Sequence, residues 1–94
     1  MKIIVAGAGD VGFHLAKLLA FEDHEITIID LNDNKLAQVA KQLDVVTIKG
    51  NATSFSVLDE ANVSNADLFI AVTQSEEANI STCIIAKHLG AKRT

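Results

Sequence analysis

Three glycines lie close together near the start of the chain, in the run Gly7-Ala8-Gly9-Asp10-Val11-Gly12. The run follows a short apolar segment and precedes a segment whose apolar residues have helical spacing. Between a strand and a helix, Gly7 permits a tight turn, Gly9 lets a phosphate reach the backbone, and Gly12 brings the helix close to the strand. The N–H groups and positive dipole end of that helix attract a diphosphate. The spacing therefore predicts a dinucleotide-binding turn.

A carboxylate, Asp30, is expected to select the nucleotide. It ends a second apolar run 18 positions after Gly12, near the distance at which an acidic side chain accepts hydrogen bonds from an adenosine ribose. It would repel a 2′-phosphate, and residues 31–34 contain no arginine to compensate. Asp10 is expected to turn its own carboxylate outward and to donate its backbone N–H. The carboxylate of Asp30, without a nearby arginine, favours NAD(H) over NADP(H).

No group of side chains has the placement of a catalytic centre. His14, His24 and His88 are scattered, with no carboxylate or thiol at metal-ligand spacing. Cys83 is the one cysteine and falls on an apolar helical stretch, where a buried thiol is expected. No nucleophile with its base, and no acid and base pair, is convincingly placed. We therefore expect neither enzyme activity nor a metal site.

Four short apolar runs are predicted as strands, at residues 2–6, 25–30, 45–49 and 68–73. The first and last are almost continuously apolar, as in parallel strands covered by helices on both faces. Alternating strands and helices imply right-handed crossovers and a parallel sheet. We predict one α/β domain over residues 1–94, a Rossmann-type doubly wound parallel sheet with strand order 3-2-1-4.

The connecting helices are predicted from the spacing of their apolar residues. The first two would pack through Val11, Leu15, Leu18 and Leu19, and through Leu36, Val39, Ala40 and Leu43.

Local sequence also predicts where the helices begin and end. Asn32 or Asp33 would cap the second helix, and Thr53 or Ser54 a short third helix over residues 54–61. A Thr-x-x-Glu capping box at residues 73–76 would start the last helix, which would end at Leu89 before Gly90.

Composition excludes several classes of protein. The chain of 94 residues is 49% hydrophobic and 21% charged, which is typical of one globular domain. Its formal net charge of −4 and lack of a Lys/Arg cluster argue against nucleic acid as a partner. No apolar run approaches the roughly 20 residues of a membrane-spanning helix, and no signal peptide is recognisable. A cytoplasmic location, without membrane insertion, is the expectation.

Two further runs follow the third and fourth strands: Gly50-Asn51-Ala52-Thr53 and, over residues 71–79, Ala-Val-Thr-Gln-Ser-Glu-Glu-Ala-Asn. With these runs, the glycine turn and Asp30, the whole sequence resembles the RCK or KTN family of regulatory domains of potassium transport. The run over residues 71–79 is the most discriminating part, because generic dehydrogenases do not share it.

The resemblance implies a role for each matching position. Residues 7–11, including Ala8 and Val11, would hold the diphosphate and Asp30 the ribose. Thr73 and Gln74 would contact the central part of the dinucleotide. The adenine would lie beside Gly50 and its neighbour Asn51, where the family often has a charged aspartate.

The resemblance also implies a setting for the domain. Family members continue into a fifth strand, a further helix and usually a sixth strand, so Thr94 is expected to lie just before strand five. The partner would be a membrane-embedded potassium transporter subunit, and the domain would form a homo-oligomer at the inner face of the cell membrane. An apolar fourth strand at the edge of the sheet also favours self-association.

Three hypotheses about function remain open at this point. The leading one is a module that senses NAD(H) and thereby gates potassium transport. The second is the cofactor-binding half of an NAD-dependent dehydrogenase, since fold alone does not decide chemistry. The third is that ATP or ADP is the working ligand at the same site, because both share adenosine and a diphosphate with NAD.

Overall fold

Four parallel strands form the centre of the fold: β1 (Lys2–Ala6), β2 (Glu25–Asp30), β3 (Val46–Lys49) and β4 (Leu68–Ala71). The structure is a computed structural model and describes residues 1–94. The strands lie in the order β3-β2-β1-β4, which confirms the predicted Rossmann-type sheet. In the parallel register, Val5 lies between Ile28 of β2 and Ile70 of β4.

Helices cover both faces of the sheet. They are α1 (Asp10–Phe21), α2 (Asp33–Gln42), α3 (Phe55–Glu60) and α4 (Glu76–Leu89), with a 3-10 turn at Val63–Asn65. On one face Ile3 and Val5 pack with residues of α1 and α2. On the other, Ile4 and Ala6 pack with residues of α3 and α4. Both faces of β1 are therefore buried, which explains its continuously apolar sequence.

The face that α1 turns to the sheet differs from the predicted one. Val11 and Leu18 are 60% and 66% exposed, whereas Gly12 and Ala16 are the buried residues of the helix. The sequence pattern counted only large apolar side chains. The two small residues let the helix backbone approach the strands closely, while Phe13 and Leu19 pack against the same core from half-buried positions.

The second helix begins as predicted. The side-chain Oδ1 of Asn32 accepts a hydrogen bond from the Lys35 N–H at 3.0 Å and caps α2. Leu36 and Val39 are buried as expected, but Ala40 is exposed. Ser54 occupies the N-cap position of the short α3, without a side-chain hydrogen bond to it.

The predicted capping box at the start of the last helix is wrong. Ser75 is the N-cap of α4, and its hydroxyl accepts from the Ala78 N–H at 3.1 Å. Thr73 lies two residues earlier, in a loop, and its N–H donates to the Asn79 side chain rather than to the sheet. Because the Thr73 N–H bonds Asn79 instead of a neighbouring strand, β4 ends at Ala71, two residues before the predicted end. The helix ends as predicted at Leu89.

The edge of the sheet at β4 has partners within the chain. The Phe69 N–H donates to the Arg93 carbonyl at 2.9 Å, and the Lys92 N–H donates to the Ala66 carbonyl at 3.0 Å. Backbone groups that were expected to be unpaired are thus partly satisfied. Cys83 is half-buried beside this edge, and burial raises the pKa of its thiol.

The carboxylate of Asp67, just before β4, contacts the start of β1 and Lys92, which follows α4. These two contacts predict a pH dependence of stability. Its carboxylate accepts from the Lys2 N–H at 2.8 Å and lies 3.3 Å from the Lys92 ammonium. The Lys2 hydrogen bond, and then Lys92, hold the pKa of Asp67 below its ordinary value. The stabilisation is therefore present above pH about 4 and lost as the pH falls through the lowered pKa.

Asp67→Asn is expected to lower the melting temperature at pH 7, because the amide keeps an acceptor but loses the charge. Thermal unfolding of both chains at pH 7 and pH 3 checks this, and the two melting temperatures should converge at the lower pH. An equal difference at both pH values would show that the charge of Asp67 does not stabilise the fold.

Candidate functional site

A cleft of ≈ 280 Å³ opens at the carboxyl ends of the strands. This is where ligands bind in open parallel sheets, because the strand order reverses there and the loops diverge. The lining residues come from the loops after all four strands and from the first turns of α2 and α4. They are Gly7, Gly9, Ile29, Asp30, Leu31, Lys35, Gly50, Ala52, Val72, Thr73, Gln74, Ser75 and Ala78.

Two of the three motif glycines are required by the packing of the chain itself. Gly7 has φ +120°, and a Cβ there would lie 2.7 Å from the Val72 carbonyl oxygen. A Cβ on Gly12 would lie 1.9 Å from the Gly7 carbonyl oxygen. No side chain fits at such distances, so these glycines allow β1, α1 and the β4–α4 loop to meet closely.

Gly9 is different, because nothing in the chain requires a glycine there. Its φ of −74° is ordinary, and a Cβ built on it would meet no atom within 4 Å. Gly9 lines the cleft, so the missing side chain keeps the cleft open where backbone N–H groups begin α1. A glycine at this position is explained by a ligand that approaches the backbone, because a side chain would block that approach.

The amino terminus of α1 has no side-chain cap. Asn32 and Ser75 cap the other two helices of ten or more residues, whereas Gly9 offers α1 no side chain. The first-turn N–H groups of a helix have no partners within the helix, and they carry its positive partial charge. The open end of α1 therefore presents donors and positive potential to a phosphate.

Asp30 lies at the end of β2, and its carboxylate connects two of the loops around the cleft. One oxygen accepts from the Ala8 N–H at 2.8 Å, and the other from the Asn32 N–H at 2.8 Å. A carboxylate has about four lone-pair positions, so it retains two for further donors. Asp30 thus has a structural role in the glycine turn as well as the free capacity to accept from a ribose.

Thr73 and Gln74, in the loop after β4, also line the cleft. Thr73 is held by Asn79, which bonds its N–H, hydroxyl and carbonyl. Gln74 is exposed.

The remaining predicted site residues do not line this cleft. Ala8 and Asp10 line a smaller recess of ≈ 230 Å³ on the other side of Gly9. Val11 points largely to solvent. The Oδ1 of Asn51 accepts from the N–H and the hydroxyl of Thr53, at 2.9 and 2.7 Å. Asn51 thus shapes the β3–α3 loop, while its neighbours Gly50 and Ala52 line the cleft.

Sequence reasoning missed Lys35. It is half-buried in the first turn of α2, it lines both the cleft and the smaller recess, and no carboxylate lies within 4.0 Å of it. It is the one basic residue of the cleft lining. The sequence feature that indicates Lys35 is its position five residues after Asp30, directly after residues 31–34.

Residues 1–94 contain neither a metal-binding cluster nor a membrane-spanning helix. No group of three or more His, Cys, Asp or Glu side chains is arranged to hold a metal ion. None of the helices has both the length and the apolar character needed to cross a membrane.

The model of the TrkA-N domain family matches residues 3–94. The chain is 41% identical over 92 residues to the Trk system potassium uptake protein TrkA homolog of Pyrococcus abyssi, covering 98% of this chain and 40% of that protein. It is 46% identical over 92 residues to the homolog of Archaeoglobus fulgidus, covering 98% of this chain and 21% of that protein. The chain therefore spans less than half the length of these relatives.

Two solved structures have the same fold. One is described as the Shewanella denitrificans Kef CTD in AMP bound form, with a TM-score of 0.81, 20% identity, and coverage of 99% of this chain and 57% of that chain. The other is ChuY, described as an anaerobillin reductase from Escherichia coli O157:H7, with a TM-score of 0.74, 20% identity, and coverage of 97% and 47%. One fold thus carries both a protein with bound AMP and a reductase, so the fold does not decide the chemistry.

Proposed function

Because the chain belongs to the TrkA-N domain family, we propose that it binds NAD(H) in the cleft and that this binding regulates potassium uptake. The observation that carries the proposal is the open side of Gly9 at the uncapped start of α1. The cleft offers a diphosphate free N–H donors, the positive end of a helix dipole and room to reach the backbone. The residues present therefore fit the group that the motif implies.

The charges of the cleft support NAD(H) over NADP(H). Asp30 is the one acidic residue of the lining and can accept from both ribose hydroxyls, whereas a 2′-phosphate there would be repelled. Lys35 would partly offset that repulsion and would also attract the diphosphate. We therefore propose that NADPH binds more weakly than NADH but is not excluded.

Adenine nucleotides without nicotinamide are the second candidate ligands. The structure described with AMP bound shares the fold, and ATP or ADP would present the same adenosine and phosphates to Asp30 and α1. We propose that the β4–α4 loop favours the dinucleotide, because Thr73 and Gln74 also line the cleft and the family resemblance assigns them to the central part of a dinucleotide. A ligand that ends at its phosphates would leave those side chains unused.

We propose that the domain is a sensor rather than an enzyme. The cleft lining holds one carboxylate, one ammonium and two hydroxyls, from Thr73 and Ser75, with no histidine or cysteine. These groups can orient a nucleotide, but none forms an acid and base pair beside the nicotinamide end. The alternative, the cofactor-binding half of an NAD-dependent dehydrogenase, would require substrate-dependent oxidation of NADH by the full-length protein at about 1 per second or more.

The whole protein would act at the membrane without entering it. We propose that residues 1–94 form the nucleotide-binding domain of a longer regulatory protein, since the chain covers 40% and 21% of the two relatives. It would lie in the cytoplasm against a membrane-embedded potassium transporter subunit and assemble as a homo-oligomer. The supporting observations are the family and the names of the relatives, which describe potassium uptake. A ligand regulates such an assembly by binding one of its conformations more tightly.

Asp30→Ala is expected to weaken NADH binding by about 1 to 3 kcal/mol, because a charged acceptor is lost from the ribose. Isothermal titration calorimetry measures the change. Asp30 also bonds the Ala8 and Asn32 N–H groups, so the control is Asp30→Asn, whose single amide oxygen keeps a neutral acceptor for one of them and should restore part of the affinity. Equal affinity of wild type and Asp30→Ala would exclude Asp30 from the site.

A further inference from the structure

Two side chains on α4 each hold a different loop that lines the cleft. The first is Asn79, whose side-chain amide makes three hydrogen bonds to a single residue, Thr73. Its Oδ1 accepts from the Thr73 N–H at 2.9 Å and from the Thr73 hydroxyl at 2.5 Å, and its Nδ2 donates to the Thr73 carbonyl at 3.1 Å. The β4–α4 loop is thereby fixed to the first turn of the helix that follows it.

The second side chain is Thr82, which is fully buried. Its hydroxyl donates to the carbonyl of Ala52 in the β3–α3 loop, 30 positions earlier in the chain. Ala52 lines the cleft. The other hydrogen bonds of this loop run within residues 51–58, apart from the Gly50 N–H, which donates to the Asp30 carbonyl at the end of β2. The Thr82 hydroxyl is therefore the hydrogen bond that connects this loop to a long helix.

Asn79 and Thr82 are three residues apart, so they lie on one face of α4. Neither of them lines the cleft, but each bonds a residue that does. The helix has 14 residues and buries Ala86 against the sheet, which makes it a rigid support. The separation of the two loops, and hence the width of the cleft between Ala52 and Thr73, follows from their attachment to this helix.

We propose that Asn79 and Thr82 are positioning residues that hold the walls of the nucleotide cleft at the separation that the ligand requires. The inference rests on the proposed function, because it assigns these residues to the same site. They act through Thr73 and Ala52 and do not touch the ligand. Binding then uses a cleft that is already formed, which lowers the ordering cost of association.

Two variants of Thr82 separate positioning from packing. Thr82→Val keeps the shape and loses the hydroxyl, so NADH affinity should fall about tenfold, because the released loop must then be ordered when the ligand binds. Thr82→Ser keeps the hydroxyl and loses a methyl group, so it should retain affinity within about twofold although it melts at a lower temperature. If affinity followed the melting temperature instead of the hydroxyl, the proposal would be overturned.

Amide hydrogen exchange gives a readout that does not depend on ligand. Asn79→Leu should speed exchange of the Thr73 N–H, and Thr82→Val that of residues 53 and 54. The matched control is Ser81→Ala, an exposed hydroxyl on the same helix, which should change neither. Unchanged exchange in both variants would overturn the positioning role. If wild type bound no adenine nucleotide while exchange responded as described, the nucleotide function alone would fail.

Discussion

Gly9→Val is expected to lower NADH affinity by about 100-fold or more, equivalent to about 2.7 kcal/mol, while the chain remains folded. A Cβ at position 9 would have no atom within 4 Å apart from its chain neighbours, so the space beside the backbone is open to a side chain. The backbone at Gly9 has φ −74° and ψ −165°, which a β-branched residue adopts without strain. The methyl groups would instead occupy the approach of the diphosphate to α1.

Calorimetry with NADH measures the loss, and circular dichroism with thermal unfolding establishes that the variant is folded. Ala40→Val serves as the control, because it places a valine side chain at an exposed position of α2 that does not line the cleft. It should leave the affinity unchanged. A folded Gly9→Val chain that binds NADH normally would mean that the glycine turn only connects β1 to α1.

Gly12→Ala is expected to have the opposite profile, a large loss of stability. The new Cβ would lie 1.9 Å from the Gly7 carbonyl oxygen and 2.8 Å from its carbon. Both are backbone atoms in the turn after the central strand, so relief requires α1 to move away from the sheet. Forced overpacking of this kind costs about 1 to 3 kcal/mol and occasionally more, and we expect the upper end, about 3 kcal/mol.

Urea unfolding followed by circular dichroism gives the free energy of unfolding for this variant. Gly9→Ala is the matched control, since the same substitution three residues earlier meets no atom of the chain and should change stability little. Equal stability of the two variants would show that α1 does not depend on its close approach at Gly12.

The sequence predicts best those features that depend on neighbouring residues. β1 and β2 have the predicted bounds, because each is a short run rich in Ile and Val or Ile and Thr, limited by charged residues or by the glycine turn. The strand order, inferred from the alternation of strands and helices, is confirmed by the sheet. The family resemblance, based on the glycine turn, Asp30 and the runs after β3 and β4, is confirmed by the family match over residues 3–94. Gly7, Gly9, Asp30, Thr73 and Gln74 also lie together in one cleft.

What the sequence did not reveal depends on how helices pack. Gly12 and Ala16 are too small to count in an apolar pattern, so the buried face of α1 was misassigned. Ser75 and Thr73 both suit a helix cap, and the choice was decided by Asn79, whose side chain bonds Thr73 from six residues away. Lys35 stands five residues after Asp30, but that it lines the cleft depends on how α2 packs beside the loop after β2.

The most direct test of a dinucleotide site is calorimetric titration of the 94-residue chain with NADH, and with NADPH, ATP, ADP and AMP in parallel. We predict saturable binding of one NADH per chain, tighter than that of NADPH and of the nucleotides that lack nicotinamide. Absence of saturable binding by NADH, or binding that is unchanged when the adenosine ribose carries a 2′-phosphate, would contradict the assignment of Gly9 and Asp30 to an NAD(H) site.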